Sequence, residues 1–200
     1  MKLSSSKALE LLDNAKGKLD DDGWVFHQIC VGDAAGVIAK ALNLNEDYAK
    51  ALGYIHDIGK IYDLPDDGAL THGINGYEYI KSLGYDEDYA SICIIHSYLN
   101  NDIDCLAGES NEQGIKYNFQ KEYVEKHKYT IYDKIINLCD LMCYEKVMTM
   151  EKRLIDLMIR HGVFATTQYH IKEALKLKKY FDDKLGFNLY DLFPEIKDNL

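Results

Sequence analysis

Histidine and aspartate side chains occur in this chain where helical periodicity directs them toward the protein interior. His27 begins a series of apolar residues at helical spacing, so its imidazole shares the inward face of a helix. The apolar residues at i+4, i+8, i+11 and i+15 are Val31, Ala35, Ile38 and Leu42. A single inward histidine is usually a core residue with one hydrogen bond, so His27 by itself favours a metal site only weakly.

His96 and Asp140 repeat this arrangement, each with apolar residues on the same helical face. These neighbours are Tyr89, Ile92 and Leu99 for the histidine, and Ile136, Cys143 and Val147 for the aspartate. An ionised carboxylate on an apolar face is costly to bury without a cation. Because no Lys or Arg occupies that face of its own helix, Asp140 requires a cation from elsewhere.

A denser group of polar residues lies in the segment Tyr54-Ile-His-Asp-Ile-Gly-Lys. Adjacent helical residues diverge by about 100°, so His56 and Asp57 can bind one ion only from a helix edge, and Asp57 has a second oxygen for a second ion. Gly59 permits another backbone or a ligand to approach closely. Lys60 shares the face of His56 at i+4 and is either a solvated helix end or a cation that binds an anionic substrate group.

The joint pattern is more informative than any single position. His72 begins a predicted helix and is a weak signal alone, yet it adds a sixth residue to a set spread over five predicted helices. The set is His27, His56, Asp57, His72, His96 and Asp140. One shared metal site explains these inward polar residues better than six unrelated causes. Mixed histidine and carboxylate ligands suit iron, manganese or zinc more than calcium. The remaining histidines, His127, His161 and His170, are predicted at the surface.

The elements that must position this set are predicted to be helices throughout, which makes the fold class all-α. The predicted helices run from about residue 4 to 15, 24 to 42, 46 to 61, 71 to 84, 86 to 99, 129 to 148, 149 to 160 and 167 to 185, with a turn at 65–68. Gly162 and Gly186 are predicted to stop the last two. The polar stretch 100–120 is predicted to be either a lid or a disordered segment.

Composition sets limits on function. The chain has 200 residues, 47% of them hydrophobic, and a formal net charge of −10, so one domain with a sizeable core is expected and a nucleic-acid partner is not. Five cysteines without a C-x-x-C motif or an apolar signal segment predict reduced thiols in the cytoplasm. No apolar run reaches the roughly 18 residues of a membrane span.

Only two arginines are present, Arg153 and Arg160, and seven-residue spacing puts them on one helix face. An ion pair at the surface or at an interface is the first interpretation, and substrate contact is the second. Tyr54 and Tyr98 lie beside candidate ligands, where packing with a satisfied hydroxyl is favoured over substrate binding.

The residues quoted above resemble the HD-domain superfamily. The resemblance rests on His27, on His56-Asp57 in His-Asp-Ile-Gly-Lys, and on Asp140 in Ile-Asn-Leu-Cys-Asp, and it covers about residues 24–145. It implies an HD-domain helical bundle and metal-dependent phosphohydrolase activity, with those four residues holding a first metal. The expected domain is single and spans 1–200, with C-terminal helices at about 149–186 packed on the core.

Two further histidines resemble those of the binuclear branch, in which Asp57 would bridge two ions. They are His72 in Thr-His-Gly and His96 in Ile-Ile-His-Ser, and the C-terminal tail is similar to small bacterial members of unassigned substrate. The cyclic-di-GMP phosphodiesterases of this branch carry paired histidines at the position of His96-Ser97 and a following Gly-Tyr-Pro motif. Both are missing here, which speaks against that substrate. Diadenosine polyphosphate hydrolases and mixed-valent di-iron oxygenases share the ligand set.

The resemblance therefore implies two divalent ions, with iron or manganese first and zinc, magnesium, nickel or cobalt as alternatives. The expected reaction is hydrolysis of a phosphate ester or anhydride in a small molecule, with nucleotides among the candidates, by a metal-activated hydroxide. Asp57 and Lys60 are the expected catalytic residues, and Lys60 also the substrate-binding one. The alternative is an HD-type di-iron oxygenase. A homodimer is left open.

Overall fold

The computed structural model describes residues 1–62, 71–108 and 115–199. Within these ranges the chain forms α-helices and short 3-10 helices but no β-strand, so the predicted all-α class is confirmed. The helices are α1 (Ser5–Asp13), α2 (Gly23–Ala41), α3 (Glu46–Ile55), α4 (Thr71–Ser82), α5 (Glu87–Ile95), α6 (Ile115–Lys126), α7 (Ile131–Asp140), α8 (Met150–His161) and α9 (Thr167–Leu185). Segments Ile58–Tyr62, Leu189–Leu192 and Pro194–Asn199 are 3-10 helices.

The centre of the bundle is α2, which packs on α3 and α7. Its residues Val31, Ala35 and Ile38, on the face predicted for His27, are fully buried. The contact with α3 is close enough to exclude side chains, because a β-carbon on Gly53 would lie only 2.5 Å from the Cα of Gly32. This close approach fixes the distance between α2 and the end of α3.

The predicted third helix is shorter than expected and ends before the His-Asp pair. α3 ends at Ile55, His56 and Asp57 form a turn, and the 3-10 helix Ile58–Tyr62 follows. Asn45 caps the start of α3, where its side chain accepts a hydrogen bond from the amide of Tyr48. His56 keeps helical backbone angles, with φ −55° and ψ −34°. Nε2 of His56 nevertheless lies 3.8 Å from Oδ2 of Asp57, so both side chains of the pair reach the same side. The predicted turn at 65–68 lies outside the described residues.

The predicted helix over 129–148 ends early, at Asp140. Thr130 and Asp133 form a reciprocal capping box at its start, which explains why it begins where it does. After Asp140 the chain turns, and Cys143 pairs with Val147 in an isolated antiparallel bridge. Cys143 and Val147 are buried, but they do not share a helical face with Asp140, so that part of the periodicity argument was wrong.

One helix, α6, was not predicted. Its side chains are mostly polar, and among those described only Gln120 and Val124 are buried, so hydrophobic periodicity gives almost no signal. It occupies the end of the stretch that was predicted to be a lid or disordered, and residues 109–114 of that stretch lie outside the described part of the chain.

The helix stops predicted from glycine are confirmed. α8 ends before Gly162 and α9 before Gly186, and both glycines have positive φ. α5 ends at Ile95, four residues earlier than predicted, so His96 lies at the helix terminus. All five cysteines are free. Among the described helices, none has both the length and the apolar character that a bilayer crossing requires.

Candidate metal centre

The six residues singled out from the sequence converge, although they come from five separate parts of the chain. α2 contributes His27, the turn after α3 contributes His56 and Asp57, and α4 contributes His72 in its first turn. The C-terminal ends of α5 and α7 contribute His96 and Asp140. Overlapping groups of three place their donor atoms within 4.8 Å of one another. Sequence spacing alone could not show this convergence, because it depends on how the helices pack.

Asp57 lies between two groups of histidines. Its Oδ1 atom is 3.2 Å from Nε2 of both His72 and His96. Its Oδ2 atom is 3.8 Å from Nε2 of His56. The two carboxylate oxygens therefore face different histidines, as a carboxylate that bridges two ions would.

The second carboxylate, Asp140, faces the His27 and His56 side of the cluster. Its Oδ1 atom is 3.0 Å from His27 Nε2 and 3.8 Å from His56 Nε2. The Asp140 side chain is 22% exposed, whereas that of Asp57 is 5% exposed, so Asp140 borders the open end of the site.

Backbone carbonyls hold two of the imidazoles in a defined orientation. Nδ1 of His56 is 2.7 Å from the carbonyl oxygen of Gly53, and Nδ1 of His96 is 2.9 Å from that of Cys93. A carbonyl only accepts, so each Nδ1 carries a proton and Nε2 is the ring nitrogen that each imidazole directs toward the cluster. This is the arrangement that metal-binding histidines use to fix their tautomer.

The donor set fits a cation. His56 Nε2 presents a lone pair and yet lies 3.3 Å from His27 Nε2. Oδ1 of Asp57 is completely buried and makes no hydrogen bond of acceptable geometry, despite the two imidazoles beside it. Buried polar atoms are normally satisfied, so such a concentration of electron-pair donors indicates a site for positive charge.

The pKa values of the carboxyl groups reflect the same environment. Burial would raise the pKa of Asp57, but Lys60 and then His56 and His72 lower it, and the net result is well below the usual value. Burial would also raise the pKa of Asp140, but hydrogen bonding to His27 and the charges of His27, His56 and His96 together lower it. Burial lowers the pKa of His56 to about 3. Both carboxylates are thus ionised and His56 is neutral near neutral pH, which are the protonation states of metal ligands.

Lys60 lies at the edge of the cluster, where its Nζ contacts Oδ2 of Asp57. The pairing is i to i+3 within the turn and the 3-10 helix, not the i+4 relation to His56 that an uninterrupted helix would give. The side chain is 34% exposed, so it is not simply a solvated helix end.

The cluster forms one wall of a cavity of about 600 Å³. Trp24, Leu106, Leu157 and Phe164 supply apolar surface, and Lys60 and Asp140 supply charge. Pockets of this size accommodate small ligands of nucleotide dimensions.

Two residues that were predicted at the surface are instead buried against this cavity. His170 is 2% exposed, and burial lowers its pKa to about 4. The periodic series His170, Ala174 and Phe181, all buried on α9, was the signal that could have revealed it. Arg153 is 6% exposed, so its surface location was wrong, although the expected ion pair exists, with Asp156 at 2.6 Å.

The structure agrees more closely with the predictions for His161, His127 and Tyr54. His161 is exposed as predicted, and His127 is half-buried, with its Nε2 3.2 Å from Asp133. The Tyr54 hydroxyl donates to Asp33 at 2.6 Å, in agreement with packing and a satisfied hydroxyl.

An all-α bundle whose histidines and aspartates converge beside a ligand-sized cavity is an arrangement that could hold metal ions. The family model of the HD domain matches residues 25–144, more than half of the chain. The chain belongs to the HD domain family, whose members bind divalent metal ions, and this membership supports a metal-dependent phosphohydrolase in general terms.

Known proteins with similar sequences include two bacterial ribonucleases. The chain is 36% identical over 70 residues to Ribonuclease Y of Fervidobacterium nodosum and 34% identical over 70 residues to that of Fusobacterium nucleatum. Each match covers 35% of this chain and 13% of the relative, so the chain spans only a small part of these proteins.

A solved structure has the same fold. The crystal structure of the HD domain of the L. monocytogenes phosphodiesterase PgpH matches with a TM-score of 0.51 and 18% sequence identity. The match covers 88% of this chain and 94% of that domain. The likeness supports the HD-type helical bundle that the sequence analysis predicted.

Proposed function

We propose that this protein is a phosphohydrolase with two divalent metal ions, acting on a phosphate ester or anhydride of a small molecule. His27, His56, Asp57 and Asp140 would hold one ion, and Asp57, His72 and His96 the other. The observation that carries the proposal is the position of Asp57, whose two oxygens face different histidines. Iron or manganese is the first choice for this mixed ligand set, with zinc, magnesium, nickel or cobalt as alternatives.

Bound there, two divalent ions supply a water of lowered pKa and Lewis-acid stabilisation of phosphate oxygens. The residues of the chain would orient the ligands, position the reacting centre and bind the substrate. The Gly53 and Cys93 carbonyls fix the His56 and His96 rings. Asp57, anchored among imidazoles and Lys60, fixes the position of the reacting centre. Lys60 adds positive charge at the cavity edge, where it would stabilise charge on the transferred phosphoryl group.

A small phosphorylated molecule, with nucleotides included, is the substrate class that fits the cavity. The formal net charge of −10 disfavours a long nucleic acid, although Ribonuclease Y acts on RNA by its name. The five free cysteines support a reducing compartment, and we place the protein in the cytoplasm on that basis. A single domain over residues 1–200 and a homodimer remain predictions.

The test is metal analysis of the purified full-length chain, followed by a phosphatase and nucleotide screen with the metal found. We expect two ions per chain and a turnover that falls by about two orders of magnitude in Asp57→Asn, equivalent to about 3 kcal/mol of transition-state stabilisation. Asp183→Asn, which removes a carboxylate that is 65% exposed, is the matched control and should behave as wild type.

Three other outcomes would reject the proposal or replace its reaction or its substrate class. A metal-loaded chain inert toward every phosphate ester and anhydride would reject it. A mixed-valent iron signal in the aerobically prepared, phosphatase-inactive protein would establish the oxygenase alternative. Hydrolysis of RNA but of no small phosphate would replace the proposed substrate class.

A further inference from the structure

The wall formed by α8 gives the cavity a second charged region, separate from the metal centre. Arg153 and Arg160, the only arginines of the chain, both line the cavity that the histidine cluster lines. They come from a helix that lies beyond the region matched by the family model, which ends at residue 144. The ligand set therefore has no need of them, and their position requires a separate explanation.

Arg153 is buried without full satisfaction of its donors. The residue is only 6% exposed, and its Nε–H has no hydrogen-bond partner among residues 1–62, 71–108 and 115–199. Buried guanidinium donors are normally paired, because an unmet donor costs free energy. Trp24 lines the same cavity, and its Nε1–H is likewise buried and unpaired. Two orphaned donors along one cavity both require an acceptor, which a bound ligand would provide.

Within the part of the chain that the structure describes, the ion pairs of this wall neutralise only half of its charge. Oδ2 of Asp156 accepts from Arg153 at 2.6 Å and from Arg160 at 2.7 Å. Two guanidinium groups thus share a single carboxylate oxygen and retain one net positive charge. The ring of Tyr144 lies beneath both, at 5.5 Å from the Arg153 Cζ atom and 5.1 Å from that of Arg160, and holds them side by side.

The arginine wall and the metal centre are close enough to belong to one binding site. The pKa of the neighbouring His161 is lowered by burial, then by Arg160 and Arg153, and also by Lys60 from the metal side. A cavity of about 600 Å³ that joins the two regions would hold one small molecule, not two.

We propose that Arg153 and Arg160 bind a second phosphate group of the substrate, while the phosphoryl group to be hydrolysed lies at the histidine and aspartate cluster. The substrate class is then a small bisphosphate, such as a sugar bisphosphate or a nucleoside bisphosphate. The planar guanidinium fork matches phosphate oxygens, and two such forks offer the charge that a phosphate dianion needs. This inference rests on the proposed phosphohydrolase function.

The first experiment compares matched substrates with the metal-loaded enzyme. The pairs are fructose 6-phosphate with fructose 1,6-bisphosphate, and adenosine 5′-monophosphate with adenosine 3′,5′-bisphosphate. We expect kcat/KM to favour the bisphosphate about tenfold or more, because charge-assisted hydrogen bonds are the strong ones. In Arg153→Gln and in Arg160→Gln this ratio should collapse toward one. Equal rates within both pairs, or an unchanged ratio in the variants, would overturn the proposal.

The second experiment needs no catalysis. Inorganic phosphate is titrated into the metal-free, full-length protein, and binding is followed through the indole N–H signal of Trp24, the single tryptophan of the chain. We expect saturable binding that weakens about tenfold in both arginine variants. Lys126→Gln removes one positive charge from a side chain that is 74% exposed and is the matched control, which should bind as wild type.

The two experiments separate the possible failures. If no substrate of either pair is hydrolysed but phosphate binding depends on Arg153 and Arg160, the result contradicts the proposed phosphohydrolase function and supports the arginine phosphate site. Absence of saturable binding in the wild type, or equal binding in the variants, removes the arginine site. Because Arg153 is buried, results from its variant are interpreted only if the circular dichroism spectrum of the variant matches that of wild type. If the spectra differ, the test uses the variant of the more exposed Arg160 alone.

Discussion

Gly59 and the carbonyl oxygen of His72 are so close that no side chain fits between them. A β-carbon built on Gly59 would lie 1.9 Å from this oxygen and 2.3 Å from the backbone nitrogen of Gly76. The glycine thus lets the 3-10 helix after Asp57 lie directly on α4. Because Asp57 and His72 flank this contact, it sets the distance between two residues of the metal centre.

Gly59→Ala should therefore both destabilise the protein and weaken metal binding. Overpacking against backbone cannot be relieved by a rotamer change, so we expect a loss of about 3 kcal/mol or more in the free energy of unfolding. Urea denaturation and metal analysis measure the two effects. Gly108→Ala, where a β-carbon meets nothing within 4 Å, is the control and should stay within about 1 kcal/mol of wild type. Equal stability of both variants would contradict the argument.

His72 and His27 should affect different ions. Nε2 of His72 lies 3.2 Å from Oδ1 of Asp57, whereas Nε2 of His27 lies 3.0 Å from Oδ1 of Asp140 and 3.3 Å from Nε2 of His56. We expect His72→Ala to lower the metal content from two ions to one, because Asp57 and His56 would still hold the other ion. Elemental analysis after dialysis measures this stoichiometry. A His72→Ala protein that retains both ions would show that His72 is not a ligand.

Asn137 supports the end of α5 from the side of α7. Its buried side-chain amide donates to the carbonyl oxygens of His96 at 2.5 Å and Ile95 at 3.2 Å. Asn137→Leu removes the side-chain donor of the His96 carbonyl oxygen, whereas the Ile95 carbonyl still accepts from the Tyr129 hydroxyl at 3.1 Å. We therefore expect a loss of about 1–3 kcal/mol in the free energy of unfolding. Asn118→Leu, an exposed position on α6, should change it by less than about 0.5 kcal/mol. Similar midpoints in urea for the two variants would refute the role of Asn137.

His170 should make folding sensitive to acid. Its pKa is lowered to about 4 by burial, so between pH 6.5 and 4 the unfolded chain takes up a proton that the folded chain does not. Stability is therefore lost as the pH falls through this window, by roughly 2 kcal/mol at pH 5 from this group.

The comparison uses His170→Gln, which stays neutral throughout. Unfolding of both metal-free proteins is measured at pH 7 and pH 5, and the variant should lose less stability between these values than the wild type does. Parallel losses would mean that His170 is protonated in the folded state.

Helical periodicity marked His27, His96 and Asp140 only weakly, and the resemblance of the His56-Asp57 segment to the HD-domain superfamily joined them with His72 into the six residues that the structure brings together. The sequence could not show which oxygen of Asp57 faces which histidine, because that depends on the turn after Ile55 and on the Gly59 contact. α6 was missed because its few buried residues give no periodic signal. Arg153 was predicted at the surface or an interface from its seven-residue spacing to Arg160 alone, and that spacing does not show that Met150, Arg153 and Leu154 are the buried residues of α8.

In the proposed enzyme, the position of the arginines beyond residue 144 would separate substrate selection from chemistry along the chain. The stretch that would perform the chemistry and the helix that would select the second phosphate are consecutive, not interleaved. Substitutions in α8 would then alter which phosphate compounds bind while leaving the histidine and aspartate cluster intact. The selectivity of such an enzyme would depend on a helix that supplies none of the proposed metal ligands.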